Sequence, residues 1–521
     1  MAEAKIGKVY LIGAGPGDPG LLTVRGREVL RQADAVVYDY LVSHAFLREA
    51  KAGAELIYVG KSGKKHTMAQ EEINAILVRL GQEGKLVARL KGGDPLVFAR
   101  GGEEAEVLQA AGLPFEIVPG VSSATAVPAY AGIPVTQRDF VSSFTVITGH
   151  EDPTRPPDES RLDWNGIASV GGTLIFLMGV GHLDLISSRL IAAGRDANTP
   201  IAVVRWGTTW QQQTVTGTLA TIAEIAKESE IKPPGVIVVG EVVGLRERLQ
   251  WWDLPQTRPL LGKRIVVTRA RDQASAMLDK LIELGADAIE FPVIKILAPS
   301  DYAPMDEAIE RLSSYEWIVF TSVNGVDYFM RRLKVLGKDA RAFGTAKVCT
   351  IGPATAARLE GYNLKADFMP TKYVAESILE ELGNMAGKKI LLARADVARE
   401  LLYDGLLAQG ALVDQVVAYR QVITGDESPT ETTPAELAEL LEAGKVDVVT
   451  FTSPNTIRNF GKRLAPFSTK SLVELLDKTL VACIGPITAG TARDLGLRVD
   501  LEATEFTIDK LVETLVKASA N

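Results

Sequence analysis

In 521 residues there are only two cysteines and four histidines. Cys349 and Cys483 sit in the apolar runs VCTIG and VACIG, where a small buried side chain fits and a structural disulfide is not expected. So few Cys and His leave no cluster with metal-ligand spacing, and no metal is expected. Basic residues are also outnumbered, 57 Lys and Arg against 65 Asp and Glu, for a formal charge of −8. That balance argues against a sequence-independent nucleic-acid binder, which carries a basic excess. Anionic small molecules stay open, because a local arginine cluster binds them within an acidic protein. No apolar run reaches the length of a membrane span, and the start, MAEAKIGKVYLIGAGPG, lacks the apolar core of a signal peptide. The expectation is a cytoplasmic protein, and the length implies two to four domains.

What the chain does have is a succession of short β-branched runs separated by helix-patterned stretches. KVYLIGAG, ADAVVYD, KLVARLKGG, TLIFLMG and GVIVVG occur in the first half; KRIVVTRA, WIVFTS, KVCTIG, KKILLARA, VDVVTFTS and LVACIG in the second. This pattern predicts an α/β class with largely parallel sheets. Residues 250–261, QWWDLPQTRPLL, follow a basic helix-like LRERL, carry two prolines and precede a fresh strand. They read as a linker between domains at 1–250 and 262–521, with Trp251 and Trp252 packed on a domain surface; an ordinary loop is the other reading.

The second half contains an echo: FTSVN at 320–324 recurs as FTSPN at 451–455, and IGPATA at 351–356 as IGPITA at 484–489. Two motifs repeated in order at nearly the same offset predict two similar lobes. Each motif ends a strand and opens a helix, so Thr321, Ser322, Thr452 and Ser453 could hold carboxylates in a cleft, or simply cap helices.

In the first half, VYLIGAGPGDPG at 9–20 follows a strand but departs from a dinucleotide fingerprint. Its third glycine is misplaced, and Pro16 and Pro19 interrupt the loop where the helix should begin. A second loop, RLKGGDP at 89–95, lets a ligand approach backbone and offers the Asp94 carboxylate, although a tight turn with an Asx cap explains it as well. PGVSSA at 119–124 and LMG at 177–179 are two further strand-end segments.

In this order and spacing, the four segments resemble the tetrapyrrole methylases, and within them the uroporphyrinogen-III C-methyltransferases. GAGPGDPGLLT at 13–23, VVYDYLVS at 36–43, VGK at 59–61, RLKGGDPLVFARGGEE at 89–104, VPGVSSA at 118–124, GIPVTQRD at 132–139, TGH at 148–150 and WW at 251–252 carry the likeness. It implies a two-lobed domain with S-adenosylmethionine against Pro16, Gly92, Gly93, Asp94, Val97, Ser122, Ser123, Met178 and Gly207. Ser122 and Ser123 stand where Thr and Ala are common in the family. The resemblance puts the proton acceptor at Asp39 and the donor at Lys61, which otherwise read as a strand-end cap and a solvated loop charge. Arg25, Arg89, Arg100 and Arg138 are candidate contacts for a substrate with eight carboxylates, or surface arginines. The dehydrogenase–chelatase module of multifunctional siroheme synthases is expected to be absent, and the family implies a homodimer.

From residue 262 onward the chain resembles the uroporphyrinogen-III synthases. LGKRIVVTRARDQA at 261–274, FTSVNGV at 320–326, IGPATAARL at 351–359, the run 391–420, FTSPNT at 451–456 and IGPITAGTARDLGL at 484–497 carry that likeness. It implies one lobe from 262–295 plus 421–521, another from 296–420, crossings near Lys295 and Tyr419, and substrate between the lobes. Tyr419 matches the tyrosine proposed to assist loss of hydroxide, and reads otherwise as a packing residue; Arg269 and Arg394 are weaker candidates. Together the two resemblances imply an enzyme that cyclises hydroxymethylbilane to uroporphyrinogen III and methylates it twice to precorrin-2, for siroheme or cobalamin. The alternatives are a methylase of a later corrin intermediate, or a second half that only binds ligand.

Overall fold

The computed structural model describes residues 6–519 apart from 43, 48, 52, 61–67, 151–161, 270, 398–399 and 424–431. Four five-stranded sheets organise the chain. The first comprises β1 (Lys8–Gly13), β2 (Ala35–Tyr38), β3 (Glu55–Tyr58), β4 (Leu86–Lys91) and β5 (Phe115–Val118), in the order β3-β2-β4-β1-β5. Every pairing in it is parallel. The apolar run of β1 does not alternate because both of its faces are covered. Tyr10 and Ile12 enter one core with Val36 and Leu90, while Val9 and Leu11 enter another with Val37 and Leu77.

The second sheet comprises β6 (Phe144–Thr148), β7 (Thr173–Leu177), β8 (Pro200–Arg205), β9 (Gln213–Thr218) and β10 (Gly235–Val239), ordered β6-β7-β10-β8-β9. The largely parallel expectation holds for the chain, with this sheet as its exception: only β6 and β7 run parallel, and the other three pairings are antiparallel. Residues 206–212 between β8 and β9 are too few for a crossover helix, so those strands fold back on each other.

The third sheet, β12-β11-β18-β19-β20, is wholly parallel and takes β11 (Arg264–Val267) and β12 (Asp287–Glu290) from one stretch. Its other members, β18 (Val448–Phe451), β19 (Leu480–Cys483) and β20 (Leu501–Glu502), come from far along the chain. Between them the fourth sheet, β13-β17-β16-β14-β15, is built from β13 (Ile294–Leu297), β14 (Trp317–Phe320), β15 (Lys347–Thr350), β16 (Lys389–Ala395) and β17 (Leu412–Ile423). Lys295 and Tyr419, expected near the crossings, lie inside β13 and β17, and those two strands pair antiparallel. The sequence echo occupies equivalent places: FTSVN and FTSPN leave β14 and β18, and the two IGP motifs leave β15 and β19.

Residues 250–261 are anchored at both ends. Trp252 is buried against Tyr130, ring centroids 4.4 Å apart, and Trp251 Nε1 donates to the Ala129 carbonyl at 2.9 Å. Leu260 is buried in the core around β11. Among the described residues, no helix is long and apolar enough to cross a membrane, and no group of three His, Cys, Asp or Glu is arranged to hold a metal ion.

Candidate active site

Because β4, β1 and β5 are neighbours, the loops after them meet at the carboxyl ends of these strands, where the strand order reverses. Gly15 N–H donates to Gly93 O at 3.1 Å and Gly93 N–H returns the bond to Gly15 O at 2.8 Å, with φ of +77° and +71°. Gly120, after β5, packs so closely that a Cβ there would lie 2.3 Å from Gly93 O. Asp94 knots the loops: its Oδ1 accepts from Leu96 N–H at 2.8 Å and its Oδ2 from Gly120 N–H at 3.1 Å. Ser122 caps the helix Ser123–Tyr130, its Oγ accepting from Ala124 N–H.

The second sheet supplies the opposite wall. Met178 follows β7, and Trp206, Gly207 and Thr208 follow β8. Gly207 lies against Val127, which a Cβ would approach to 2.4 Å. Asp18 stitches the walls together, donating its N–H to Thr208 Oγ1 at 3.2 Å and accepting from the Tyr130 hydroxyl at 2.8 Å. Burial, and then the bond to Asp18, pushes the Tyr130 phenol above its ordinary range. The resulting cleft is lined by Pro16, Asp39, Gly92, Gly93, Val97, Ser123, Met178 and Gly207 among others, and it is part of a larger space of about 1720 Å³ that the second half also lines, with Arg264, Ile282, Glu283 and Leu440. Sequence reasoning missed Phe98, Trp206 and Thr208 in this cleft, and it missed the backbone conformation that they share with Met178. Phe98, Met178, Trp206 and Thr208 line this cleft with φ of 52°, 59°, 46° and 69°, a conformation that side chains other than glycine adopt at a cost.

Behind Asp39 lies a buried charge cluster. Glu104, fully buried, accepts through Oε1 from Lys91 Nζ at 2.8 Å, Arg89 Nε at 3.1 Å and Gln70 Nε2 at 3.3 Å. Arg89 also reaches Asp39 Oδ2 at 3.4 Å, and Asp39 Oδ1 accepts from Leu41 N–H at 3.1 Å. Burial, seconded by the Arg89 charge, pulls the Lys91 ammonium below its ordinary pKa, against the pull of Glu104.

The four arginines picked from the sequence do not line the cleft. Arg89 is buried in the cluster just described, Arg25 pairs with Glu116 at 3.0 Å, Arg100 pairs with Glu103 at 2.6 Å, and Arg138 is exposed elsewhere. Each charge is spent on a carboxylate or faces open solvent. The cations that do line it are Arg27, Lys91, Arg258 and Arg264. Lys61 lies outside the described residues.

In the second half the strand-end repeats approach each other. Ser322 and Ser453 both cap helices, accepting from Gly325 N–H at 3.0 Å and Thr456 N–H at 3.3 Å; Thr321 and Thr452 beside them are partly exposed. Tyr419 is buried and stacked on Tyr328, and burial raises its phenol, opposed by hydrogen bonds with Ser322, Gln421 and Asn324. Gln421 Oε1 accepts from Asn455 Nδ2 at 3.3 Å, so β17 reaches the first repeat through Tyr419 and the second through Gln421. Asn324, Gln421 and Asn455 were missed, since only the folded register of β17 brings Gln421 between the repeats. Arg394 is buried against Glu400 at 2.6 Å, and Arg269 is partly buried, which lowers its pKa.

These features define a class: two α/β units in one chain, the first with a cleft of bare backbone, the second with paired strand ends facing each other. Residues 8–223 match the family model of the Tetrapyrrole (Corrin/Porphyrin) Methylases, and residues 275–513 that of Uroporphyrinogen-III synthase HemD. The chain is 38% identical to the porphyrin biosynthesis protein HemD of Ruminiclostridium josui, over 98% of each. It is 41% identical to the uroporphyrinogen-III C-methyltransferase of Bacillus subtilis (strain 168), over 68% of this chain and 72% of that one. Against the S-adenosyl-L-methionine-dependent uroporphyrinogen III methyltransferase of Methanosarcina barkeri (strain Fusaro / DSM 804), identity is 54% over 47% of this chain and 94% of that one. The chain therefore belongs to both families: it is a tetrapyrrole methylase fused to a uroporphyrinogen-III synthase.

Proposed function

We propose that the chain cyclises hydroxymethylbilane to uroporphyrinogen III and then methylates that product twice, giving precorrin-2. The observation that carries this reading is the convergence of the glycine loops with Met178 and Gly207 around a cleft that Asp39 enters. S-adenosylmethionine fits such a cleft. At Gly93 a Cβ would meet nothing nearer than Ser123 N at 3.8 Å, so its backbone is open to a ligand, while Val97, Leu177 and Met178 offer apolar surface. When bound, S-adenosylmethionine supplies an electrophilic methyl group on a sulfonium.

The chain's own residues supply position and charge. Pro16, Gly92, Gly93, Val97, Ser123, Met178 and Gly207 hold the donor in line with a pyrrole carbon, which is worth more here than covalent help. Asp94 and Ser122 act one step back, by holding the loops. As the ring becomes cationic, the Asp39 carboxylate stabilises it and takes up the proton. Lys61 anchors a substrate carboxylate or returns a proton.

In the second half Thr321, Ser322, Thr452 and Ser453 hold the bilane's carboxylates with hydroxyls and helix-end N–H groups. Tyr419 donates a hydrogen bond to the departing hydroxide. Steering of the flexible bilane, and exclusion of its spontaneous unrearranged closure, does the remainder. One half's product is the other half's substrate, which gives the fusion its purpose. In this reading two copies pair through the methylase half in the cytoplasm.

The test is mass spectrometry with isomer analysis of the product that the full chain makes from hydroxymethylbilane and S-adenosylmethionine. Two added methyls on a type III macrocycle are expected. A different number of methyls, or isomer I, overturns the assignment; failure to bind S-adenosylhomocysteine overturns the methylase reading outright.

A further inference from the structure

The cations that line the methylase cleft are spent differently. Arg27 faces Glu49 at 3.5 Å, Lys91 faces Glu104 at 2.8 Å, and Arg264 faces Asp287 at 2.6 Å. Arg258 has no carboxylate within ion-pair distance among the described residues. It comes from the connecting segment, beyond residues 8–223 that match the methylase family, yet it lines the same cleft as Pro16, Gly93 and Met178.

Its side chain is held in place. The guanidinium carbon lies 3.1 Å from the centroid of the Trp252 ring, and Nη1 donates to the Ile282 carbonyl at 3.2 Å. Trp252 leans on Tyr130, whose hydroxyl bonds Asp18 of the first glycine loop. A stack therefore runs from the second half, through Arg258, to the loop beside Pro16. A guanidinium has five N–H donors, so one carbonyl leaves most of that capacity for a ligand. Asp18 and Glu283 are within electrostatic reach, and burial lowers the Arg258 pKa, but a guanidinium stays charged at any working pH.

We propose that Arg258 is a specificity-determining residue of the methylase site, receiving one carboxylate arm of a polycarboxylate macrocycle at the cleft mouth. The inference rests on the methylation reading above. A planar guanidinium fixed against an indole is pre-organised for two-point contact with a carboxylate, and the connector that joins the halves thereby completes the substrate site of the first.

The test uses the full chain with Arg258→Gln and Arg258→Lys, measuring KM and kcat for methylation of uroporphyrinogen III and the Kd for S-adenosylhomocysteine. Arg258→Gln should raise KM about 10- to 100-fold, the loss expected for one charge-assisted hydrogen bond, with kcat and Kd unchanged. Arg258→Lys should recover part of the loss, and added salt should raise KM more for the wild type than for Arg258→Gln. An unchanged KM in Arg258→Gln overturns the proposal. So does a rise in KM accompanied by weaker S-adenosylhomocysteine binding, because that pattern marks a strap holding Trp252 in place. A wild-type chain that does not methylate uroporphyrinogen III overturns the reading beneath, and the proposal falls with it.

Discussion

Gly120 stands where three backbone segments converge, and Gly120→Ala tests whether that convergence makes the cleft. The added Cβ would lie 2.3 Å from Gly93 O and 2.6 Å from Gly13 Cα. Carbon contacts settle near about 3.5–4.0 Å, so the segments must part by about 1 Å, and no flexible side chain is there to yield. Gly120 does not have a left-handed φ, so alanine costs nothing in backbone conformation and the effect is steric alone. Overpacking of this kind costs about 1–3 kcal/mol of stability. The greater effect is on function, since a displacement of about 1 Å in a positioning element can cost about 100-fold. We expect Gly120→Ala to weaken S-adenosylhomocysteine binding and methylation by about that factor, read by calorimetry and product mass. Synthase turnover in the same preparation should not change, because the second half has its own cores. Gly102→Ala is the control: in the helix Gly101–Ala110 a Cβ there meets nothing within 4 Å, and binding should be retained. Wild-type affinity in Gly120→Ala would refute the reasoning.

Three further outcomes follow from the same contacts. Glu104→Gln leaves Arg89 and Lys91 buried without their shared carboxylate, and should destabilise the chain by about 3–5 kcal/mol in urea unfolding; an unchanged midpoint refutes the cluster's role. Tyr419→Phe removes one hydroxyl from a buried ring, so it should cost about 1 kcal/mol and slow loss of hydroxide or raise the share of isomer I; identical rates and isomer ratios dismiss a donor role. Burial pushes the thiols of Cys349 and Cys483 up to about 12, so the native chain should not react with a thiol reagent at neutral pH, whereas both should react once it is unfolded.

The strands were legible in the sequence because burial on both faces suppresses alternation. KVYLIG feeds two different cores from its two sides, and a run of that kind has few other folds to adopt. The strand β9 was not legible. Its run QTVTGT is polar, its burial only partial, and it exists because the short 206–212 loop returns it to β8. Tyr419 was legible as a residue but not as a place: β17 runs on to Ile423, which puts Tyr419 inside the fourth sheet with Gln421 reaching the other repeat.

The same distinction governs the cleft. Glycine segments announce themselves locally, since turn and strand end lie within a few residues of each other. A charge does not, because its fate depends on a partner the sequence does not place beside it. Arg25 and Glu116 are 91 residues apart, and nothing in the run around Arg25 says that its guanidinium will be consumed there and not in the cleft. Strain is hidden more deeply still. Trp206 and Thr208 have side chains that disfavour a left-handed backbone, so local preference argues against the conformation they hold. Such residues persist only where the surroundings over-determine them, and here Val127 presses on Gly207 between them while Asp18 N–H holds Thr208 Oγ1. The wall opposite the glycine loops is therefore set by tertiary contacts that outweigh local preference, which is why the sequence could name Met178 and Gly207 there but not the left-handed backbone at Trp206 and Thr208.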